Sequence, residues 1–343
     1  MRKFSVTPFP TFLATLALSL SMLGACGAGA NVSADKACTD LAQAQCEKRV
    51  GCTDSIDPAG VNIERTFGDM TVCLAREKLG CMDNLAASGT GSSPARVETC
   101  VDAFPTYACA DFLGANPPAV CAPTGSRTAG QPCTFNAQCD SGFCANNKNA
   151  ICGICAPSPA PGDPCALSNC GHDQICVATT TLCQNRGDVG SLCDASHPCG
   201  VELACAGLTG ATAGTCHAAV TIQGDPCLGA TLPGCQGNLG LACLGPAGSK
   251  TCTRITFVGA GEAGGTLADG SRSDCLGGDC ITPTGPAAAT DLGTCQVKVD
   301  AGAACDTNLG PDCLAPARCV PTAAVGTSGT VGTCQMPIAA SCG

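Results

Sequence analysis

"GSLCDASHPCGVELACAGLTGATAGTC", residues 190–216, opens on Gly-x-x-Cys and carries three further cysteines. The same order returns along the chain. Gly130–Cys133, Gly162–Cys165, Gly190–Cys193, Gly224–Cys227 and Gly302–Cys305 each open a unit, at a period of about 30–35 residues. The second copy holds Cys165, Cys170, Cys176 and Cys183, and the third Cys193, Cys199, Cys205 and Cys216. Cys227/235/243/252 and Cys305/313/319/334 are as clear, whereas the first copy holds five cysteines, Cys133, Cys139, Cys144, Cys152 and Cys155. No helical periodicity runs through this region. Glycine sets the turns and cysteine takes the place of a core, so each unit is expected to be small and nearly autonomous. All of these repeat cysteines are expected in disulfides. Within a unit, four cysteines allow three pairings, and spacing alone does not choose among them.

Composition points the same way. The chain has 34 cysteines in 343 residues, and Leu, Ile, Val and Phe together number 61, with no Trp and one Tyr. So few large apolar side chains cannot build a core of ordinary size, and without staples the composition reads as disordered. A disulfide closing about 15 residues contributes about 3 kcal/mol by restricting the unfolded chain, so many short loops compensate. The expected fold class is small and disulfide-rich: an α-helical, disulfide-clamped N-terminal domain, then an array of short cysteine-rich repeats with little regular secondary structure.

Residues 36–121 have the helical texture. "ADKACTDLAQAQCEKRV" reads as one helix, Asp69 caps "MTVCLAREKLGC", and Ser93-Pro94 caps "ARVETCVDAF". Cys38 and Cys46 are eight residues apart, as are Cys73 and Cys81, which puts each pair on one broad helix face. With Cys52, Cys100, Cys109 and Cys121 they can make four bridges. Asn116-Pro117-Pro118 and Pro123-Thr124-Gly125 mark the exit, and residues 122–343 form the array, with units near 130–155, 162–183, 190–216, 224–252, 259–295 and 302–334 and a truncated one at Cys342.

The first 25 residues read as a signal peptide. Arg2 and Lys3 give a positive start, and Phe12 to Leu23 an apolar stretch too short to span a bilayer. Leu23-Gly24-Ala25-Cys26 resembles a lipobox, which makes Cys26 the expected lipidation site, residues 26–35 a linker, and the lipid the sole membrane contact. Gly27 in place of Asp points to the outer membrane. Cleavage after Ala30, at Ala28-Gly29-Ala30, would secrete the protein instead. Asn31-Val32-Ser33 fits a glycosylation sequon but sits just behind a bacterial leader. Without Arg2 and Lys3 the balance is 15 basic against 27 acidic residues, about −12, which disfavours nucleic acid and anionic headgroups as partners.

"GQPCTFNAQCDSGFCANN", residues 130–147, with Ser141-Gly142 before its third cysteine, resembles the Dickkopf-type N-terminal cysteine-rich repeat. A helical cysteine domain followed by such units also resembles a group of exported cysteine-rich proteins of myxobacteria. The resemblance implies an extracellular module and nothing catalytic.

Other motifs yield to simpler readings. "ITFVGAGEAGG", residues 255–265, has the Gly259-x-Gly261-x-x-Gly264 spacing of a phosphate loop, but "GTLADGSRSDCLGGDC" follows, which cannot be the required helix. Counting from Cys252 makes this stretch the start of a fifth unit whose first cysteine is replaced at Glu262 or Ala263, with Gly259 as its opening glycine. That reading implies a locally loose segment, cut early by proteases. Cys152-Gly-Ile-Cys155 lies in a Gly/Pro-rich loop rather than at a strand–helix junction, so two structural bridges are expected there. His172, His197 and His217 stand singly, too few for a zinc site. No hydrolase, metalloprotease or calcium-loop motif is present, so no catalytic residue, cofactor or metal is expected.

Beyond Cys26 there are 33 cysteines, an odd number. The irregular places are the fifth cysteine of the first unit, the damaged fifth unit, and Cys342. Two of these can pair and leave the third; Cys342, beside the C-terminus, is the expected unpaired thiol, open to an intermolecular disulfide. The expected function is adhesion, envelope or matrix interaction through a rod-like array that presents extended surface to an unknown partner. The competing classes are a secreted enzyme with a scattered site and a metal or thiol buffer.

Overall fold

The computed structural model describes residues 32–342 apart from 54–59, 147–149, 166–169, 172–173, 178–179, 209–211, 229–231, 247, 283–284, 287–291, 323–329 and 339–341. The signal peptide, Cys26, the Ala30 cleavage point, Asn31 and His172 lie outside the described residues.

Among the described residues, five α-helices occupy the N-terminal region: α1 (Ala34–Gly51), α2 (Val61–Phe67), α3 (Met70–Ala86), α4 (Pro94–Ala103) and α5 (Cys109–Leu113). Three begin at side-chain caps that satisfy otherwise unpaired amides. Ser33 accepts from the Lys36 amide, Asp69 from that of Val72, and Ser93, ahead of Pro94, from that of Arg96. The eight-residue spacing then acts twice. Cys38–Cys81 and Cys46–Cys73 tie α1 and α3 together antiparallel at two levels, while Cys52–Cys109 and Cys100–Cys121 fasten α5 and the exit segment. Phe104, Tyr107 and Phe112 meet edge to face at the far end, a geometry favoured by the ring quadrupoles.

The four units with four cysteines share one disulfide order, first to third and second to fourth, as in Cys193–Cys205 and Cys199–Cys216; the first unit follows it with Cys133–Cys144 and Cys139–Cys155, Cys152 being its extra cysteine. Strand register explains the order. The strand carrying the fourth cysteine is central: the third cysteine faces the fourth (Cys205↔Cys216), and the first faces the residue two before it (Cys193↔Gly214). First and third therefore flank one strand, and their bond crosses it. The second cysteine is placed by a parallel bridge to the chain entering the unit, Gly187↔Cys199 in this copy. The opening glycine makes the return turn at φ +86°, where a side chain would be strained.

The second unit keeps this order with less sheet around it. Its bonds are Cys165–Cys176 and Cys170–Cys183, and Cys176 faces Cys183 across the antiparallel pair Gln174–Val177 and Leu182–Asn185. A single bridge, Pro164↔Leu182, stands where the third unit has a paired strand. Cys165 and Cys183 are buried, whereas Cys170 and Cys176 are half-buried, Cys176 on an edge strand, Gln174–Val177, paired on one side.

The fifth unit departs from the expected loose segment. Thr256–Val258, Ala263–Thr266, Arg272–Cys275, Gly278–Thr282, Gly285–Pro286 and Leu292–Val297 form a six-stranded sheet, the largest among the described residues. Its loop before the second cysteine is longer than in the other units, enough to fold as the antiparallel pair Ala263–Thr266 and Arg272–Cys275. Thr256–Val258 joins as a parallel edge. Here strand pairing supplies order that elsewhere comes from a second bond.

The array is also not a rod standing clear of the helices. Both belong to one compact unit, 32–343. Leu314 of the sixth unit shares a core with Cys46, Ile63, Phe67 and Cys73. The Gly277 amide donates to the Glu64 carbonyl at 2.6 Å, and a Cβ on Gly277 would lie 3.0 Å from the Gly68 nitrogen. Gln138 of the first unit donates to the Ser88 carbonyl at 2.8 Å. Helix α2, an element without a legible cap, makes much of this docking through its apolar face.

Candidate functional site

The fifth unit is chemically distinct, and its backbone shows why. In the third unit the Gly190 amide donates to the Cys216 carbonyl and the Cys216 amide to the Ser191 carbonyl, each at 2.8 Å. The same pair of bonds in the fifth unit links Gly261 to Cys295 at 2.8 Å and Cys295 to Glu262 at 2.9 Å. Gly261, at φ +81°, is therefore the opening glycine. Three residues on, Gly264 fills the first-cysteine slot, facing Gly293 as Cys193 faces Gly214. This corrects the expected placement at Glu262 or Ala263 with Gly259 opening the unit. Counting from the previous cysteine misplaces the slot because the entering chain has been drawn out into the strand Thr256–Val258.

An ideal Cβ on Gly264 would lie 2.9, 3.0 and 3.2 Å from the sulfurs of Cys295, Cys280 and Cys275. The second-to-fourth bond is kept as Cys275–Cys295, and Cys280, the third cysteine, has lost its partner. It is the free cysteine among the described residues, and it is half-buried. The unpaired thiol is thus Cys280 rather than Cys342, which is bonded to Cys152. Two of the three irregular places do pair. The damaged unit keeps the odd sulfur because its missing partner is a glycine inside the same sheet.

The remaining motifs resolve structurally. Cys152 and Cys155 enter two separate bonds, to Cys342 and Cys139. Gly259-x-Gly261-x-x-Gly264 leads into a strand, with no helix N-terminus to hold a pyrophosphate. Among the described residues, five groups of three cysteines bring their sulfurs within 4.8 Å of one another, yet every one of those sulfurs is in a disulfide. In the second unit the group is Cys165, Cys170 and Cys183, and Cys176, bonded to Cys165, stands outside it. Disulfide sulfurs offer no thiolates to a metal. His197 is exposed and hydrogen-bonded to Asp194 at 2.9 Å; His217 is exposed on Gly214–Ala218.

A cleft of about 460 Å³ lies between the fifth and sixth units, lined by Asp279, Gln296, Asp306, Asp312 and Arg318 among others. Its carboxylates largely serve local turns. Asp306 accepts from the Asn308 and Leu309 amides, and the Thr330 hydroxyl, followed by the Leu309 amide, holds its carboxyl below the ordinary range. Asp312 accepts from the Cys313 amide. Arg318 points away to the first unit, donating to the Ala150 carbonyl at 3.0 Å. A larger cleft, about 800 Å³, is bounded by α2 and the fourth and fifth units. On its wall Arg65 meets Asp274 through Nη2 at 2.8 Å and Nε at 3.1 Å, and Arg272 holds the second oxygen at 3.1 Å. Neither cleft gathers a nucleophile with a base. Large apolar side chains stand exposed around the third and fourth units, Leu192, Val189, Ile222 and Leu228. Sequence reading missed the α2 docking face and the Cys152–Cys342 bond; it marked Cys342 and the fifth cysteine of the first unit as irregular, whereas the extra cysteine there is the fourth, Cys152.

Compared with family models, curated proteins and solved structures, the chain matches none.

Proposed function

We propose that this chain is an exported, non-enzymatic interaction module of the cell envelope. In this reading Cys26 is acylated and tethers the protein to the outer membrane, cleavage after Ala30 would release it, and the cysteine-rich units present a fixed surface to an envelope, adhesion or matrix partner. The observation that carries the reading is the sulfur accounting: 16 disulfides, with Cys280 alone left as a thiol among the described residues. Bonds at that density persist in an oxidising compartment and are reduced in a cytosol. They favour a scaffold over a thiol or metal buffer, which would need thiolates. The resemblance of residues 130–147 to Dickkopf-type repeats accords with an extracellular module.

The test is to isolate the full chain from envelope fractions, count thiols under denaturing, non-reducing conditions, and follow the Cys26→Ala variant. One reactive thiol, membrane association lost in the variant, and a partner crosslinked by the oxidised but not the reduced and alkylated protein are the expected results. Many free thiols, or recovery in the cytosol, would overturn the reading in favour of a buffer. Hydrolytic turnover by the purified chain would replace it with an enzyme.

A further inference from the structure

We propose that Cys152–Cys342 is a thiol–disulfide exchange site, a clasp that a dithiol reductant opens while the other bonds stay closed. Three observations converge on it. The bond closes the array on itself, joining the first unit to the chain's end across 190 residues, whereas no other disulfide among the described residues spans more than 57. Of the bonded cysteines, Cys152 alone is exposed; its partner is 6% exposed. The Thr134 hydroxyl, itself buried, donates to the Cys342 sulfur at 3.0 Å.

Exchange requires a thiolate to reach one sulfur while the other departs, and it is faster when the departing sulfur is the better leaving group. The geometry divides those roles. Cys152 is the exposed residue of the pair. At Cys342 the departing negative charge meets the Thr134 hydroxyl, which favours the thiolate. The reductant's first thiolate bonds to the Cys152 sulfur as the Cys152–Cys342 bond breaks and Cys342 leaves as thiolate. The reductant's second thiolate then attacks its own first sulfur in the mixed disulfide and expels Cys152. The reductant ends as a disulfide, and the protein has gained two electrons and two protons as two thiols.

Opening frees the last segment, in which Pro337 is buried and Met336 packs against the sixth unit's cysteines. The seam between first and sixth units is then held by contacts such as that of Arg318 with the Ala150 carbonyl. The clasp is a property of this bond alone and does not depend on what the protein binds.

The experiment uses the full oxidised chain. Cys280 is first blocked with a maleimide; graded dithiothreitol is applied, new thiols are trapped with an isotopically distinct maleimide, and the sites are mapped by peptide mass. Cys152 and Cys342 are expected to take up label together at about tenfold less reductant than any other pair, given the difference in access. In the Cys152→Ser/Cys342→Ser variant that early step should vanish while the remaining pairs open at unchanged concentrations. Thr134→Val should slow labelling of this pair alone. Earlier labelling of any other pair, or simultaneous labelling of all, would overturn the proposal. The order in the unaltered chain decides even if the variants fold poorly.

Discussion

Gly264 stands over the Cys280 sulfur where every complete unit places a bonded cysteine, with a built Cβ 3.0 Å from that sulfur. Gly264→Cys should therefore close the missing first-to-third bond. The fifth unit would gain a loop of 16 residues between positions 264 and 280, worth about 3 kcal/mol in chain entropy. Apart from Cys26, the variant should have no titratable thiol, and its mass should lie two hydrogens below that calculated for the variant with this pair unbonded. Two reactive thiols in the folded variant would show that the register assignment is wrong.

Asp274 joins the fifth unit to α2 through Arg65 and is held from its own strand by Arg272, and only 14% of its side chain is exposed. Asp274→Asn should cost about 1.5–3 kcal/mol, the range for hydrogen bonds to charged groups. It should also speed hydrogen exchange at the Gly277 amide, whose partner is the Glu64 carbonyl on α2. Lys36→Ala removes an exposed pair with Glu98 and should leave stability unchanged, because water screens such pairs. Equal effects from the two variants would contradict the docking role of Asp274.

Leu314 belongs to the sixth unit by sequence and to the helical core by packing, with Ile63 and Phe67. Leu314→Ala should destabilise the helices by about 2–4 kcal/mol, the usual cost of deleting a buried leucine. Thermal melts followed at the helical circular-dichroism minimum, with all disulfides intact, provide the measurement. An unchanged helical melt would mean that the two regions do not share a core.

Asp83, on α3, has its Oδ2 buried with no hydrogen-bond partner among the described residues, and burial pushes its carboxyl pKa above the ordinary value. The folded state thus holds this proton more tightly than the unfolded state. Its contribution to stability is fully present below the unfolded pKa, near 4, and is lost as pH rises through the folded one. Asp83→Asn should be more stable than the unaltered chain at neutral pH, by less than about 1 kcal/mol because the group is only partly buried. That advantage should shrink as pH falls below about 4. A pH-independent difference would rule out titration as the cause.

Much of the architecture is written locally, and locality is the reason it can be read. Gly190-x-x-Cys193 sets a turn, Ser93-Pro94 starts a helix, and Cys38 with Cys46 marks one helix face. Each depends on residues within a few positions of one another. The odd number of cysteines beyond Cys26 required an unpaired sulfur, and the three irregular places took in the five-cysteine first unit, the damaged unit and Cys342.

Which sulfur stayed single depended on strand register. Gly264 was recognised as the empty slot only from the amide of Gly261 meeting the carbonyl of Cys295, a contact between residues far apart in sequence. The same register paired Cys176 with Cys165 rather than with its neighbours Cys170 or Cys183, a choice that spacing left open. Docking of the array on α2 was equally hidden: Val61, Ile63 and Phe67 form too short an apolar pattern to announce a partner, and Leu314 lies some 250 positions further along. Composition determined that bridges would replace a core and, with Cys26 set apart, that one thiol would be left over. Tertiary structure decided which thiol, and that the chain's end returns to its first unit, because backbone pairing and packing across long separations leave no periodic trace in the sequence.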